Sequence, residues 1–257
     1  MIEKNGDVPA INKMNQIFDL LALEPKGLSQ STISSLLDLP KATVSRLINT
    51  LHGMGYLEQE NKAGLYTLGA KLLTLGNIVN KRLNLNTIAT PIMERLCNSL
   101  NEMVKLSIMR GNIIYPLVSI ESKKAIRITL DSGTVYPPYI GAAGKLLLSL
   151  TDEGKEYYNT ILPNVSMVKY TKNTIVDMNR LDEAISEIKT LGYATDNQEE
   201  SVGIYAVAAP IYNSTGQVIG ALSIPFFGDY NEKKERYLPI LLKCAEEISL
   251  SMGYYNK

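Results

Sequence analysis

The sequence has no tryptophan, a single histidine (His52) and only two cysteines, Cys97 and Cys244. Zinc sites use three or four Cys, His or carboxylate ligands, and hydrolases of the Ser-His-Asp type need a histidine beside the nucleophile. Either kind of site would have to be built around His52 alone. The sequence therefore predicts no metal site, no catalytic residue and no cofactor. The two cysteines lie far apart, and we expect both to be small buried hydrophobic residues.

Long apolar runs and an excess of one charge are also absent. The sequence contains no run of about 18 apolar residues, the length needed to span a membrane. The N-terminus also lacks the apolar segment of a signal peptide, so we expect a cytoplasmic protein. The charges of the 26 basic and 26 acidic side chains cancel. This excludes a protein that binds nucleic acid through an overall positive charge, but it does not exclude a local DNA-binding surface. With 257 residues, the chain exceeds the roughly 100–200 residues of one domain, and two domains are predicted.

The first fifty residues have helical periodicity. Over residues 10–23, apolar side chains fall on one helical face. Ser29 or Ser31 is a candidate cap for a second helix, and Pro40 suits the first position of a third. The third helix has a predicted inward stripe of apolar residues: Val44, Leu47, Ile48 and Leu51.

Residues 56–60 and 64–68 alternate apolar with polar around a glycine-bearing loop, a pattern typical of a β-hairpin, or wing. Three short helices followed by a wing predict a winged helix-turn-helix DNA-binding domain over residues 1–68. A helix at 69–80 and a polar stretch after it predict a linker helix and connector over residues 69–90.

The remainder, residues 91–257, has an α+β pattern. Alternating or apolar segments predict strands at 104–108, 113–120, 125–130, 205–211 and 218–224. Helices are predicted from Pro91 and at 144–150, 153–158, 178–191 and 232–251. Because no strand–helix–strand regularity is present, we expect an antiparallel sheet with flanking helices rather than a doubly wound fold.

The outward face of the third helix carries side chains that suit DNA recognition. Arginine pairs with guanine edges, asparagine with adenine, and hydroxyls with phosphates or either base. The alternative is an ordinary solvated helix face. Residues 1–66 hold six basic and seven acidic residues, so affinity must come from a few well-placed cations and from dimerisation. The predicted DNA-binding residues are Ser31, Lys41, Thr43, Ser45, Arg46, Asn49 and, in the wing, Lys62.

A Gly-Lys pair at Gly144-Lys145 ends a loop of small residues. It fails the phosphate-loop pattern, because Tyr139 stands where a glycine is required and Leu146 replaces the Ser or Thr. A small-residue loop that enters a helix still offers backbone N–H groups to an anion. The alternative is a glycine-rich turn that only lets helix and sheet pack closely.

Three acidic residues, Asp196, Glu199 and Glu200, precede a buried-looking strand. Two carboxylates can act as acid and base, but no second catalytic partner is identifiable. We interpret these residues as solvated loop charges.

With these pieces in place, the chain resembles the IclR family of bacterial transcriptional regulators over nearly its whole length. The N-terminal resemblance rests on LPKATVSRLINTL at 39–51, GYL at 55–57 and YTLG at 66–69. The C-terminal resemblance rests on GAAGKLLL at 141–148, GYA at 192–194, Asp196, Glu199, Gly203, AVAAPI at 206–211 and GALS at 220–223.

The resemblance implies a winged-helix domain, a linker helix and a GAF-like effector domain that binds a small metabolite. It also implies a homodimer or dimer of dimers on double-stranded operator DNA. The effector-binding residues that it implies are Ala143, Gly144, Asp196, Ile204, Ala206 and Ser223. Two positions depart from members of the family: Ala206 replaces a cysteine and Pro225 replaces a serine, so the effector is expected to differ from small 2-oxo acids.

The leading hypothesis is a ligand-responsive regulator, more specifically a repressor of a catabolic operon that responds to a small organic acid. One alternative is an enzyme that uses Asp196, Glu199 or Lys145 as acid and base. Another is a metabolite sensor that acts through protein contacts without DNA. The effector domain has no histidine, no set of metal ligands and no nucleophile motif, which weighs against the enzyme. Arg46, Asn49 and the wing weigh against the DNA-independent sensor.

Overall fold

The computed structural model describes residues 8–60, 64–80, 83–131 and 133–255. The chain divides into two compact units, of which the first ends at Leu83 and the second begins at Asn84. Within the described ranges, no helix is both long enough and apolar enough to cross a membrane.

The first unit is a helical domain with a two-stranded wing. Its elements are α1 (Pro9–Leu23), α2 (Gln30–Leu36), α3 (Lys41–Gly53), β1 (Leu57–Glu60), β2 (Leu65–Leu68) and α4 (Ala70–Asn80). Ser29 caps α2, because its side chain accepts a hydrogen bond from the amide of Thr32. The antiparallel pairing of β1 with β2 confirms the predicted hairpin.

The core of the first unit follows the apolar periodicity of its helices. In α3, Val44, Ile48 and Leu51 are buried, as predicted, and Leu47 is only partly buried. These side chains pack with a cluster from α1, α2 and the wing: Ile17, Leu21, Ile33, Leu57 and Tyr66. Packing against this cluster fixes which face of α3 is turned to solvent.

The second unit is an α+β domain built on a five-stranded antiparallel sheet of order β4-β3-β7-β6-β5. Its strands are β3 (Val104–Arg110), β4 (Ile113–Ile120), β5 (Ala194–Asn197), β6 (Tyr205–Tyr212) and β7 (Val218–Phe226). Its helices are α5 (Leu85–Leu100), α6 (Gly141–Leu150), α7 (Asp152–Glu156), α8 (Met178–Leu191) and α9 (Tyr230–Ser251), with a π-helical turn at Tyr157–Ile161 and a 3-10 turn at Leu162–Asn164.

Helices cover both faces of this sheet. Small residues of β6 and β7, such as Ala206, Ala208 and Ala221, share a core cluster with α6 and α8. Their neighbours along each strand point to the other face, where the Phe226 ring meets the Tyr237 ring of α9 edge-on at 5.4 Å. Alanine on the first face lets α6 approach the sheet closely, and this approach positions the cavity described below.

Two predictions about secondary structure are wrong. Residues 125–130 form no strand, because alternation stabilises a strand only where a neighbouring strand supplies hydrogen-bond partners, and Ile126 is left 82% exposed. Pro91 lies inside α5 rather than at its start. The helix begins earlier because the Asn84 side chain accepts hydrogen bonds from the amides of Asn86 and Thr87, at 3.0 and 3.3 Å.

Candidate functional site

One face of α3 is polar and open to solvent. Arg46 and Asn49 are exposed on the side opposite the buried Val44–Ile48–Leu51 stripe. Thr43 and Ser45 flank this side and are partly exposed, and Lys41 is exposed at the start of the helix. Arg46 has no ion-pair partner within the described ranges. Its guanidinium is therefore available to a ligand, and in helix-turn-helix proteins the helix at this place in the motif enters the major groove.

The remaining residues of this surface come from α2 and the wing. Ser31, Lys41 and Ser45 line one groove together with Gln59 and Tyr66. The groove is held in shape by Gln30, whose amide nitrogen donates to the Tyr66 hydroxyl at 3.0 Å. His52 packs edge-on against the Tyr66 ring at 6.2 Å. Lys62 lies outside the described residues.

A small cavity lies in the second unit, between the start of α6 and strands β3, β5, β6 and β7. It brings together residues that are far apart in sequence, including all six for which the resemblance implies effector binding: Ala143, Gly144, Asp196, Ile204, Ala206 and Ser223. The strand register explains why they meet. Asp196 on β5 pairs with Ala206 on β6, which pairs with Pro225 on β7. Ser223 lies two residues before Pro225 on β7 and pairs with Lys105 on β3.

The N-terminus of α6 forms one wall of the cavity. Ile140 at the cap position makes no side-chain hydrogen bond to the helix, so the first amides of α6 lack a side-chain cap, and the helix dipole favours negative charge there. Gly144 serves packing as well. A Cβ at this position would lie 3.1 Å from the carbonyl oxygen of Pro138, which leaves little room for a side chain.

Asp196 is the most deeply buried carboxyl of the cavity wall, at 2% exposure. Burial raises its pKa to about 7, and the negative charge of Glu199 acts in the same direction. A hydrogen bond from the Glu199 amide to Asp196 Oδ1, at 2.7 Å, opposes this shift. Asp196 therefore changes between its neutral and ionised forms near neutral pH.

The interpretation of the acidic run as solvated charges is wrong for Asp196 and Glu199, which are both buried. Glu199 forms an ion pair with Lys145, which is also buried. The other Glu199 oxygen, Oε2, has no hydrogen-bond partner within the described ranges. Lys145 and Glu199 lie outside the cavity lining. Of the three proposed acid and base residues, only Asp196 faces the cavity.

Two polar cavity residues, Lys105 and Tyr136, were not identified from the sequence, and a third, Glu200, was interpreted as a solvated loop charge although it is partly buried and lines the cavity. The Lys105 ammonium lies 4.7 Å from the centroid of the Tyr136 ring. Burial, together with the charge of Glu200 and a hydrogen bond to it, raises the pKa of Tyr136. Only Lys105 could have been identified from the sequence as a candidate site residue, because it is a lysine in a strand composed largely of apolar residues.

Within the described ranges, no group of three or more His, Cys, Asp or Glu side chains is arranged to hold a metal. Cys97 is buried and Cys244 is partly buried, and neither lines the cavity.

Comparison with known proteins gives the same two-part organisation. Residues 10–61 match the IclR helix-turn-helix domain, and residues 78–250 match the C-terminal domain described as that of the bacterial transcriptional regulator IclR.

Among curated proteins, the HTH-type transcriptional regulator KipR of Bacillus subtilis is 31% identical, over 91% of this chain and 93% of its own. The HTH-type transcriptional repressor AllR of Escherichia coli is 31% identical, over 79% of this chain and 74% of its own. The solved structure of the Thermotoga maritima IclR has a TM-score of 0.61 at 28% identity, covering 96% of this chain and 99% of that one. These matches extend over both units, and the chain belongs to the IclR family of DNA-binding transcriptional regulators.

Proposed function

We propose that this regulator is a repressor whose affinity for operator DNA is controlled by a small organic acid bound in the cavity of the second unit. In this scheme residues 1–68 read DNA, residues 69–90 connect, and residues 91–257 bind effector and oligomerise. The proposal places the protein in the bacterial cytoplasm, where operator DNA is found.

The polar face of α3 is the observation that carries DNA reading. Arg46 and Asn49 lie opposite the buried core of the unit, and the other solvent-accessible polar residues of the helix are Lys41, Thr43 and Ser45. Arginine and asparagine are the side chains that make bidentate contacts to guanine and adenine. Ser31, at the start of α2, and Lys62, in the wing, are proposed to contact the phosphate backbone.

The cavity supports control by an acid. The N-terminus of α6 has no side-chain cap, so the amides of its first turn, up to Ala143, are left without an intrahelical partner, and a carboxylate is favoured there. Ile204, Ala206 and Pro225 provide apolar surface. Ser223 keeps acceptor capacity, because its hydroxyl donates to the Lys105 carbonyl at 3.3 Å and still has lone pairs.

A homodimer, or a dimer of dimers, fits the exposed surface of α4. Three apolar side chains on one side of this short helix are 43–56% exposed: Leu75, Ile78 and Val79. An apolar face of this kind is covered in a stable protein by a partner, and two reading heads on one operator multiply the modest affinity of each. Half-sites about one helical turn apart, or a multiple of it, are then expected in a footprint.

A mobility-shift assay with the purified chain and the DNA upstream of its own gene tests the proposal. We expect a specific shift that resists unrelated competitor DNA and weakens when the correct acid is added. Deletion of the gene should raise transcription from the bound promoter. No specific shift with any genomic fragment would favour the DNA-independent sensor, and turnover of a bound acid would favour the enzyme.

A further inference from the structure

Lys105 introduces a positive charge that no other part of the cavity neutralises by direct contact. Within the described ranges, its ammonium has neither an ion pair within 4.0 Å nor a side-chain hydrogen bond, and it lies over the face of Tyr136. Burial lowers the pKa of Lys105, whereas the negative charges of Glu200 and Asp196 raise it. The chain thus holds a partly buried cation without a charged partner in direct contact at the cavity wall.

Acceptors face the cavity from another wall. A Cβ on Gly141 would lie 3.4 Å from Glu200 Oε2 and 3.5 Å from Asp196 Oδ2, so both carboxyls converge on the space that this glycine leaves open. Gly141 has a φ of +70°, a conformation that glycine adopts without strain. The cavity therefore combines one cation and one uncapped helix start with two converging carboxyls.

We propose that the effector is a hydroxylated carboxylate, such as a sugar acid, whose carboxylate pairs with Lys105 and whose hydroxyl groups donate to Asp196 and Glu200. This inference rests on the proposed function, because it specifies the ligand of the same cavity. Lys105 is the specificity-determining residue for the anion. Asp196 and Glu200 select for hydroxyl groups.

Simple acids and phosphates fit this lining less well. An unsubstituted carboxylate satisfies Lys105 but brings a negative charge near two carboxyls. It offers them no donor beyond the two they already have, the Glu199 amide for Asp196 and Tyr136 for Glu200. A phosphate brings more negative charge against a single lysine. Hydroxyl groups resolve the conflict, because each can donate to a carboxylate and also accept from Lys105 or Ser223.

Matched probes separate the two parts of the ligand. Isothermal titration calorimetry of the full chain compares D-gluconate with hexanoate, which lacks the hydroxyls, and with D-sorbitol, which lacks the carboxylate. D-Glycerate, propionate and glycerol form a smaller series of the same design. In at least one series we expect the hydroxy acid to bind roughly tenfold or more tightly than both the unsubstituted acid and the polyol of that series. If neither hydroxy acid exceeds its partners, the proposal is overturned.

Variants assign the anion contact. Lys105→Met should lower affinity for the binding hydroxy acid roughly tenfold or more and leave that for the matched polyol unchanged. Lys105→Arg should restore most of the loss. Lys169→Met, which removes an exposed lysine, should have no effect. Operator binding by each variant shows that it is folded. Equal losses for acid and polyol, or none in Lys105→Met, would overturn the role of Lys105.

A zwitterion tests the donor part separately. L-Serine replaces one hydroxyl of glycerate by an ammonium group, and tighter binding of serine than of either glycerate or gluconate would overturn the preference for hydroxyl groups. The outcome is distinguishable from failure of the proposed function. If another acid releases the operator and Ala206→Leu abolishes that response, only the hydroxylated-ligand inference fails. If no acid changes operator binding, the proposed function fails.

Discussion

The ammonium of Lys105 lies 4.7 Å from the centroid of the Tyr136 ring, although one residue belongs to strand β3 and the other to the segment that leads into α6. Contact with the ring face partly replaces the water that the cation has lost. The contact ties the cation at the cavity wall to the segment that positions the start of α6.

We expect Tyr136→Leu to reduce the free energy of unfolding by about 1 kcal/mol beyond the loss in Tyr136→Phe, because only the leucine variant loses the aromatic face. Urea unfolding followed by circular dichroism measures both, which suits a chain without tryptophan. Equal stability of the two variants would show that the ring does not stabilise Lys105.

The pKa of Asp196 predicts a pH dependence of stability. Asp196 ionises at its ordinary pKa of 3.8 in the unfolded chain and at about 7 in the folded protein, so the folded state binds more protons between these values. Stability from the neutral carboxyl is fully present below about pH 4 and is lost as pH rises through 7. The slope is at most about 1.4 kcal/mol per pH unit.

Asp196→Asn should flatten this slope between pH 5 and 7. The groups that act on Asp196 are Glu199, Glu200, Lys145 and Lys105, and all of them remain in the variant. Unfolding free energies at four pH values would measure the difference. An unchanged slope would mean that Asp196 is ionised throughout this range.

The buried pair of Lys145 and Glu199 should be costly to break from one side. Glu199→Met leaves the Lys145 ammonium buried without its carboxylate and should destabilise the protein by about 3–5 kcal/mol. The double variant with Lys145→Met should recover much of this loss, because no buried charge is left unpaired. Urea unfolding of the single and double variants tests the coupling. A double variant no more stable than Glu199→Met would contradict it.

For the DNA-binding surface, Arg46→Ala should cost about 1–3 kcal/mol of operator affinity for each base that Arg46 reads, and specificity should relax at that base. Lys189→Ala removes one exposed positive charge from the second unit and serves as the charge-matched control. Titrated mobility shifts at constant salt give both affinities. Wild-type affinity in Arg46→Ala would remove Arg46 from the proposed interface.

A larger side chain in the cavity should block effector binding without affecting DNA binding. Ala206 lines the cavity between Asp196 and Pro225, and Ala206→Leu adds bulk at the cost of about 1–3 kcal/mol of stability from overpacking. The variant should bind operator DNA like the wild type and fail to release it with the effector. Ser223→Ala should weaken the response without abolishing it. A full response in both variants would place the effector elsewhere.

Much of the first unit follows from local sequence. The spacing of Val44, Ile48 and Leu51 defines one face of a helix without reference to the rest of the chain, and burying that face leaves Arg46 and Asn49 in solvent. The strands at 104–110, 205–212 and 218–226 likewise follow from apolar patterning. Local pattern failed at residues 125–130, where alternation exists but no partner strand does, and at Pro91, where the Asn84 cap outweighs the proline.

The cavity was only partly readable from sequence. Six lining residues came from the family resemblance, whereas Lys105, Tyr136 and the place of Glu200 in the lining came from the fold. Lys105 and Ser223 are 118 residues apart along the chain and meet because β3 pairs with β7. The apolar periodicity of a single segment does not indicate which distant strand it pairs with.

The amphipathic face of α3 is thus encoded within a few turns of helix, and the sequence alone determined it. The burial of Asp196 and Glu199 and the shifted pKa values of Asp196 and Lys105 were decided only by the tertiary structure. The physical reason is that a helix face depends on neighbours three or four residues away, whereas the solvation of a charge depends on whatever the rest of the chain packs over it.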